Sequence, residues 1–146
     1  MYPSQKAAYA MRAMLDLARA AEPGAVAPTA AIARRTRAPA KFLEAILGEL
    51  RRAGLVESRR GAAGGHRLAR PGSRITAGEV WRAVDGPIGP AARAGRRGAA
   101  ADPAGRALRG LWEEVEQAVT RVVDGTTLED LARRAQESAG VHDFTI

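Results

Sequence analysis

The sequence predicts a mainly α-helical fold with a small β-wing: a winged helix-turn-helix domain followed by a long C-terminal helix. Three observations carry this expectation. Leu43, Ile46, Leu47 and Leu50 recur at the spacing of an amphipathic helix. Directly after them, the run from Leu55 to Leu68 reads as two short strands around a glycine turn rich in arginine, Arg59-Arg60-Gly61-Ala62-Ala63-Gly64-Gly65. Further on, Leu108, Leu111, Trp112, Val115, Val119 and Val122 form one continuous apolar stripe.

Each element has a local reason. Ser4 is placed to cap a first helix running to about Ala21, with Ala7, Met11, Met14, Leu15 and Ala18 on its inner face. Glu22-Pro23-Gly24 stops it. Thr29 is placed to cap a short helix, Ala30 to about Thr36, with Ile32 inward. Arg37-Ala38 links it to a third helix that begins at Pro39, where the missing N–H is tolerated, and ends at Gly54. Pro71-Gly72-Ser73 turns the chain. Thr76 then caps a fourth helix carrying Val80, Trp81 and Val84, with Glu79 in capping-box register. From Gly86 to Gly105, fifteen of twenty residues are Gly, Ala or Pro, so a mobile loop with little to pack is expected. The long helix covers about Ala104 to Val123, and Thr127 caps a last helix holding Leu128, Leu131 and Ala132. The expected organisation is a DNA-binding domain over 1–85, a loop over 86–105, dimerisation helices over 106–137 and a polar tail over 138–146.

Composition bounds the function. The chain has 146 residues, 46% of them apolar but only 4% aromatic, so the core is built from aliphatic side chains and alanine. It has no cysteine, which removes disulfides, thiolate-held metals and cysteine nucleophiles. No apolar run approaches a membrane span and the first residues lack a signal-peptide layout, so the expectation is a cytoplasmic protein with no membrane partner. The net charge of +7 is unevenly spread. Residues 34–70 hold ten Arg or Lys against three Glu, whereas 111–146 hold three Arg against eight Asp or Glu. A basic head on an acidic body fits a polyanion bound at one end.

The two helices joined by Arg37-Ala38 make a helix-turn-helix, whose second helix would lead into the major groove of double-stranded DNA with its N-terminal end. Ala40, Lys41, Glu44 and Ala45 lie near that end and off the apolar face. Lys41 suits phosphate or a guanine edge, and Glu44 can accept from a cytosine amine. The bland alternative is a set of solvated side chains. In the wing, Gly61, Gly64 and Gly65 allow close backbone approach, while Arg59, Arg60 and Arg67 supply charge. His66 is expected near phosphate or a groove edge. Neither His66 in the wing nor His142 in the tail sits in a recognisable nucleophile or acid–base arrangement, so an enzyme is not expected. The long stripe on the C-terminal helix implies a two-fold seam in a homodimer, packing on its own head being the alternative.

These residues resemble the Rrf2 family of bacterial winged-helix regulators. The resemblance rests on Tyr9-Ala10-Met11-Arg12-Ala13-Met14-Leu15-Asp16-Leu17-Ala18, on Lys41-Phe42-Leu43-Glu44, on the wing from Gly54 to Gly65, and on Ile75-Thr76-Ala77-Gly78-Glu79-Val80. It implies a homodimer held near Trp112, and operator contacts from Ser4, Lys6 and Tyr9, from Pro39, Ala40, Lys41, Phe42 and Glu44, and from the wing. Many members hold an iron–sulfur cluster on three loop cysteines. Here the corresponding positions fall close to Ala94, Ala100 and Arg106, so no such cofactor is expected. Gly86-Pro87-Ile88-Gly89-Pro90 and Asp124-Gly125-Thr126-Thr127-Leu128-Glu129-Asp130-Leu131-Ala132 resemble the cluster-free cysteine-metabolism repressors of the family. The last residues, Asp143, Phe144, Thr145 and Ile146, also resemble the C-terminal peptides that enter the active site of O-acetylserine sulfhydrylase. The resemblance therefore implies a repressor controlled through that enzyme. The alternative is an adaptor that binds the enzyme by its tail and holds DNA only non-specifically.

Overall fold

The computed structural model describes residues 2–20, 22, 24–89 and 102–143. Its order is α1 (Gln5–Ala18), α2 (Thr29–Thr36), α3 (Ala40–Arg52), β1 (Val56–Arg59), β2 (Gly65–Leu68), a single turn of tighter helix at Gly72–Arg74, α4 (Ala77–Asp85), α5 (Pro103–Asp124) and α6 (Leu128–Asp143). The fold is the expected one: mostly helical, with one two-stranded antiparallel sheet. In that sheet Val56 pairs with Leu68, Ser58 with His66 and Arg59 with Gly65.

The core gathers around α1. Ala7, Ala10, Ala13, Met14 and Leu17 are buried there, against Leu43, Ile46, Leu47 and Leu50 of α3 and Val80, Trp81 and Val84 of α4. The inner face of α1 differs from the expected one: Met11, Leu15 and Ala18 are only partly buried, and Ala10, Ala13 and Leu17 take their place. The reason is that α1 packs against α2, α3, α4, α6 and β2. The buried residues still form one stripe at three- and four-residue spacing, turned from the expected one toward Ala10 and Ala13, whose small side chains mark a face less clearly than Met11 and Leu15 do.

Local chemistry fixes the element ends. The Ser4 hydroxyl accepts from the Ala7 amide at 3.0 Å. Thr76 and Glu79 form the complete capping box on α4, and Thr127 exchanges a matching pair of hydrogen bonds with Asp130 at the start of α6. Thr29 is a correction. It is the first residue of α2, Pro28 is the cap and makes no side-chain bond, and the Thr29 hydroxyl turns to the wing instead. Pro39 likewise stands at the cap position of α3 rather than inside it.

The segment assigned to a loop does leave helix after Asp85, but its start is packed rather than free, because Ile88 is buried in the core. Residues 90–101 of that segment lie outside the described residues. Residues 138–143, read from sequence as tail, continue α6. Phe144, Thr145 and Ile146 lie outside the described residues.

The C-terminal helices join the head along a short seam. The Ala77 amide donates to the Thr126 carbonyl at 2.8 Å, the Leu128 amide donates to the Ile75 carbonyl at 2.9 Å, and Arg82 holds Asp124 at 2.6 Å. Leu128 is fully buried beneath this seam.

The wing is tied to the body by a second backbone bridge. Ala27 and His66 exchange amide-to-carbonyl hydrogen bonds, both of 2.8 Å. Gly65 makes that approach possible, since a Cβ there would lie 2.5 Å from the carbonyl carbon and oxygen of Ala27. Gly65→Ala should therefore lose roughly 1–3 kcal/mol of stability through a backbone clash. Gly140→Ala, at a helical site with open space around it, should leave stability unchanged or raise it by up to about 1 kcal/mol. Urea denaturation of the two variants checks the contrast.

Candidate nucleic-acid interface

The exposed face of α3 begins at its N-terminus. Ala40, Lys41, Phe42, Glu44 and Ala45 are exposed, while Leu43 between them is buried. Pro39 supplies no side-chain cap, so the first-turn amides of α3 have no side-chain capping partner. These amides add the positive end of the helix dipole to the Lys41 charge. The short link before α3 holds Arg37 in the left-handed conformation, with φ of 58°. Arg37 stands in the link expected from the sequence, but nothing in the string marks an Arg as a left-handed helix stop.

The first turn of α1 lies beside this face and is clamped to it. Lys6 Nζ stands 3.1 Å from Glu49 Oε1 on α3. The half-buried Tyr9 ring meets Phe42 edge-to-face, with centroids 5.7 Å apart. The Ser4 backbone amide donates to Asp85 Oδ2 at 2.9 Å and its hydroxyl donates to Asp85 Oδ1. Asp85 Oδ2 also accepts from Trp81 Nε1 at 3.0 Å. Ser4, Lys6 and Tyr9 are thus brought to the interface, but each is engaged within the protein. The Ser4 hydroxyl is used as a cap and as a donor to Asp85, so it positions α1 rather than presenting itself to a ligand.

On the wing, Arg59, Arg60 and Gly61 are exposed. Among the described residues Arg59 and Arg60 have no carboxylate partner, and neither do Lys41, Arg51 and Arg52. The Gly64 amide closes the turn onto the Gly61 carbonyl at 2.9 Å. Gly64 and Gly65 are both hemmed in by backbone, of Arg59 to Gly61 and of Ala27 and Pro28 respectively. Their lack of a side chain therefore builds the wing itself. Gly61, with φ of 105° and open space around it, is the wing glycine left facing outward.

His66, expected near phosphate or a groove edge, has partners within the chain for both ring nitrogens. Its Nδ1 lies 2.7 Å from Ser58 Oγ and its Nε2 lies 2.9 Å from Thr29 Oγ1. Both ring nitrogens are taken up inside the protein, and the ring latches β1, β2 and the start of α2 together. Among the described residues no group of three His, Cys, Asp or Glu side chains is placed to hold a metal. No helix described is long and apolar enough to cross a membrane.

The sequence model of Rrf2, described as an iron-dependent transcriptional regulator, matches residues 3–134. The chain belongs to the Rrf2 family. It is 38% identical over 131 residues to the transcriptional regulator CymR of Bacillus subtilis, covering 88% of each chain. It is 35% identical over 141 residues to the regulator IscR of Xenorhabdus nematophila, covering 96% of this chain and 84% of that one. The solved structure of CymR, the global cysteine regulator of B. subtilis, superposes with a TM-score of 0.77 at 36% identity, over 92% of this chain and 98% of that one. This Rrf2 chain is accordingly a DNA-binding transcriptional regulator of winged-helix fold and not an enzyme.

The latch in this Rrf2 wing has a pH signature. Burial, and then the nearby Arg51 guanidinium, hold the His66 pKa below the ordinary histidine value. The folded chain favours the neutral ring, whereas the unfolded chain takes up a proton near pH ~6.5. The stabilising contribution is complete above that value and is lost as pH falls from it toward the lower folded pKa. Urea melts between about pH 8 and about pH 5 should show wild-type stability falling in that lower window, with His66→Gln removing this part of the slope. A gap between the two proteins that stays constant with pH would show that the ring does not titrate with folding.

Proposed function

We propose that the chain acts as a homodimeric, sequence-specific repressor. α3 reads the major groove and the wing anchors in the neighbouring minor groove. Lys41 and Glu44 meet base edges, Ala40 and Phe42 offer apolar contact to thymine methyl groups, and Pro39 sets the helix against the backbone. Arg59 and Arg60, carried on a turn made tight by Gly61, Gly64 and Gly65, meet phosphates. Lys6 and Tyr9 flank this face from α1.

The observation that carries the dimer is the stripe on α5. Leu108, Leu111, Trp112 and Val122 are 54%, 48%, 50% and 65% exposed, although they share one face. Val115 is half-buried, and Val119 packs against the head together with Val123. A contiguous apolar face rimmed by charge calls for a partner, and a second copy of the same helix supplies a self-complementary one. Trp112→Glu should leave the fold intact, yield monomers in sedimentation, and lower operator affinity by about 100-fold or more, because the two half-sites are no longer bound as one event. A dimeric Trp112→Glu protein of unchanged affinity would remove this seam.

The regulation we infer is of cysteine and sulfur metabolism, without an iron–sulfur cluster. The donor set does not fit such a cluster: the chain has no cysteine, and Ala94, Ala100 and Arg106 stand near the positions where family resemblance sets the ligands. Likeness to CymR supports the pathway. The terminal Asp143, Phe144, Thr145 and Ile146 support O-acetylserine sulfhydrylase as the partner, with its substrate displacing the tail. Chromatin mapping should find the protein upstream of cysteine and sulfur genes. The purified sulfhydrylase should bind the full chain, but not one lacking Phe144 to Ile146. Equal binding of both chains would remove the enzyme partner.

A further inference from the structure

A cleft opens between the last turn of α3 and the wing, lined by Arg51, Glu57, Ser58, Arg59 and Arg67 among others. Three guanidiniums share it, but they are not equivalent. Arg67 is neutralised in place, its Nε 3.0 Å from Glu57 Oε2 and its terminal nitrogen 3.4 Å from the Gly24 carbonyl. The Ser58 hydroxyl is held by His66. Arg51 and Arg59 have no carboxylate partner among the described residues, and Glu57 is already occupied by Arg67. The Arg51 charge is also felt at His66, where it opposes protonation of the ring. Two uncompensated cations held on facing elements repel each other, so the cleft is stabilised by an anion between them.

The DNA geometry says which anion. A helix in the major groove and a wing in the next minor groove straddle the sugar–phosphate strand that separates those grooves. We propose that the cleft clamps one phosphate of that strand, with Arg51 approaching from the helix side and Arg59 from the wing side. Guanidinium forks suit the task, since each can give two parallel N–H donors to phosphate oxygens. The clamp rests on the reading of α3 and the wing above, and adds an anchor away from the N-terminal half of α3. It positions the protein and carries no base information.

The test is the salt dependence of binding to two duplexes, one selected by the protein from a random pool and one unrelated. Arg51→Ala should lower the log–log salt slope by about 0.9 for each half-site bound. It should weaken both duplexes by the same factor and leave their ratio unchanged. Arg51→Lys, which keeps the charge, should restore most of the slope. An unchanged slope in an Arg51→Ala protein of normal thermal stability overturns the clamp, as does a shifted ratio between the duplexes. Saturable displacement of DNA from the wild type by inorganic phosphate at constant ionic strength overturns it too, since the cleft would then be a site for a free anion. Glu44→Ala separates the clamp from the reading it rests on. If that variant alters the ratio while Arg51→Ala leaves the slope untouched, the clamp fails and the base-reading helix stands.

Discussion

How closely the other elements can approach α1 decides the shape of the head. Ala7, Ala10 and Ala13 are fully buried, and α2, α3, α4, α6 and β2 all pack against this one helix. Interaxial distance follows the size of the side chains at the contact, so alanine is what lets five elements close on a single axis. Longer side chains at these positions would force helices apart at a cost of roughly 1–3 kcal/mol each. The functional surface inherits this rigidity. Through Ser4 and Asp85 the first turn of α1 is fixed to the end of α4, and through Lys6 with Glu49 and Tyr9 with Phe42 it is fixed to α3. The orientation of α3, the proposed reading helix, is thereby referred to the whole core rather than to its own two flanking turns, which is the support a recognition surface needs.

The wing follows the same logic by different means. A two-stranded ribbon alone is marginal in water. Here the Ala27 bridge acts as a one-residue third strand, and the half-buried His66 ring ties the ribbon to α2 through Thr29. The glycines therefore have a division of labour that composition hides. Gly64 and Gly65 permit backbone to meet backbone inside the protein, and Gly61 shapes the outward turn. The basic tip is held at a fixed offset from α3, and the position of the cleft between them is fixed with it.

What the sequence made legible was periodic or local. The apolar stripe of α3, the capping box at Thr76 and the cap at Thr127 each depend on residues within one or two turns, and each stands where its spacing places it. The stripe on α5 could be read for the same reason, since it is periodic along one helix; Leu108, Leu111, Trp112 and Val122 of it are exposed, while Val119 packs on the head. The misplaced features depend on distant partners. The buried face of α1 is chosen by elements from five parts of the chain. Ser4 meets a carboxylate 81 positions away, and His66 meets a hydroxyl 37 positions away. Ile88 looked like loop because its neighbours are Gly and Pro, yet its own side chain is what the core takes up. Residues 138–143 looked like tail because they are polar, but a helix already started at Leu128 propagates through such residues with little further loss of entropy.

The joint between head and α5 connects this geometry to the reading of DNA. Two backbone hydrogen bonds and the Arg82–Asp124 pair set where the long helix leaves α4, and Leu128 closes the joint from beneath. In the proposed dimer the two reading helices are separated by twice the offset between α3 and the α5 seam, and a two-fold reader needs that distance to match one helical turn of DNA, about 34–36 Å, or a multiple of it. The joint is therefore as much a part of specificity as any base contact, although it lies away from the DNA-facing residues. The charge pattern supports the same division. The head carries the excess of Arg and Lys, whereas the chain from Leu111 onward carries the excess of Asp and Glu. An acidic body repels the duplex and leaves the basic head as the favourable approach. In the proposed dimer, association through α5 would thus set the span between two heads without competing with them for the same polyanion.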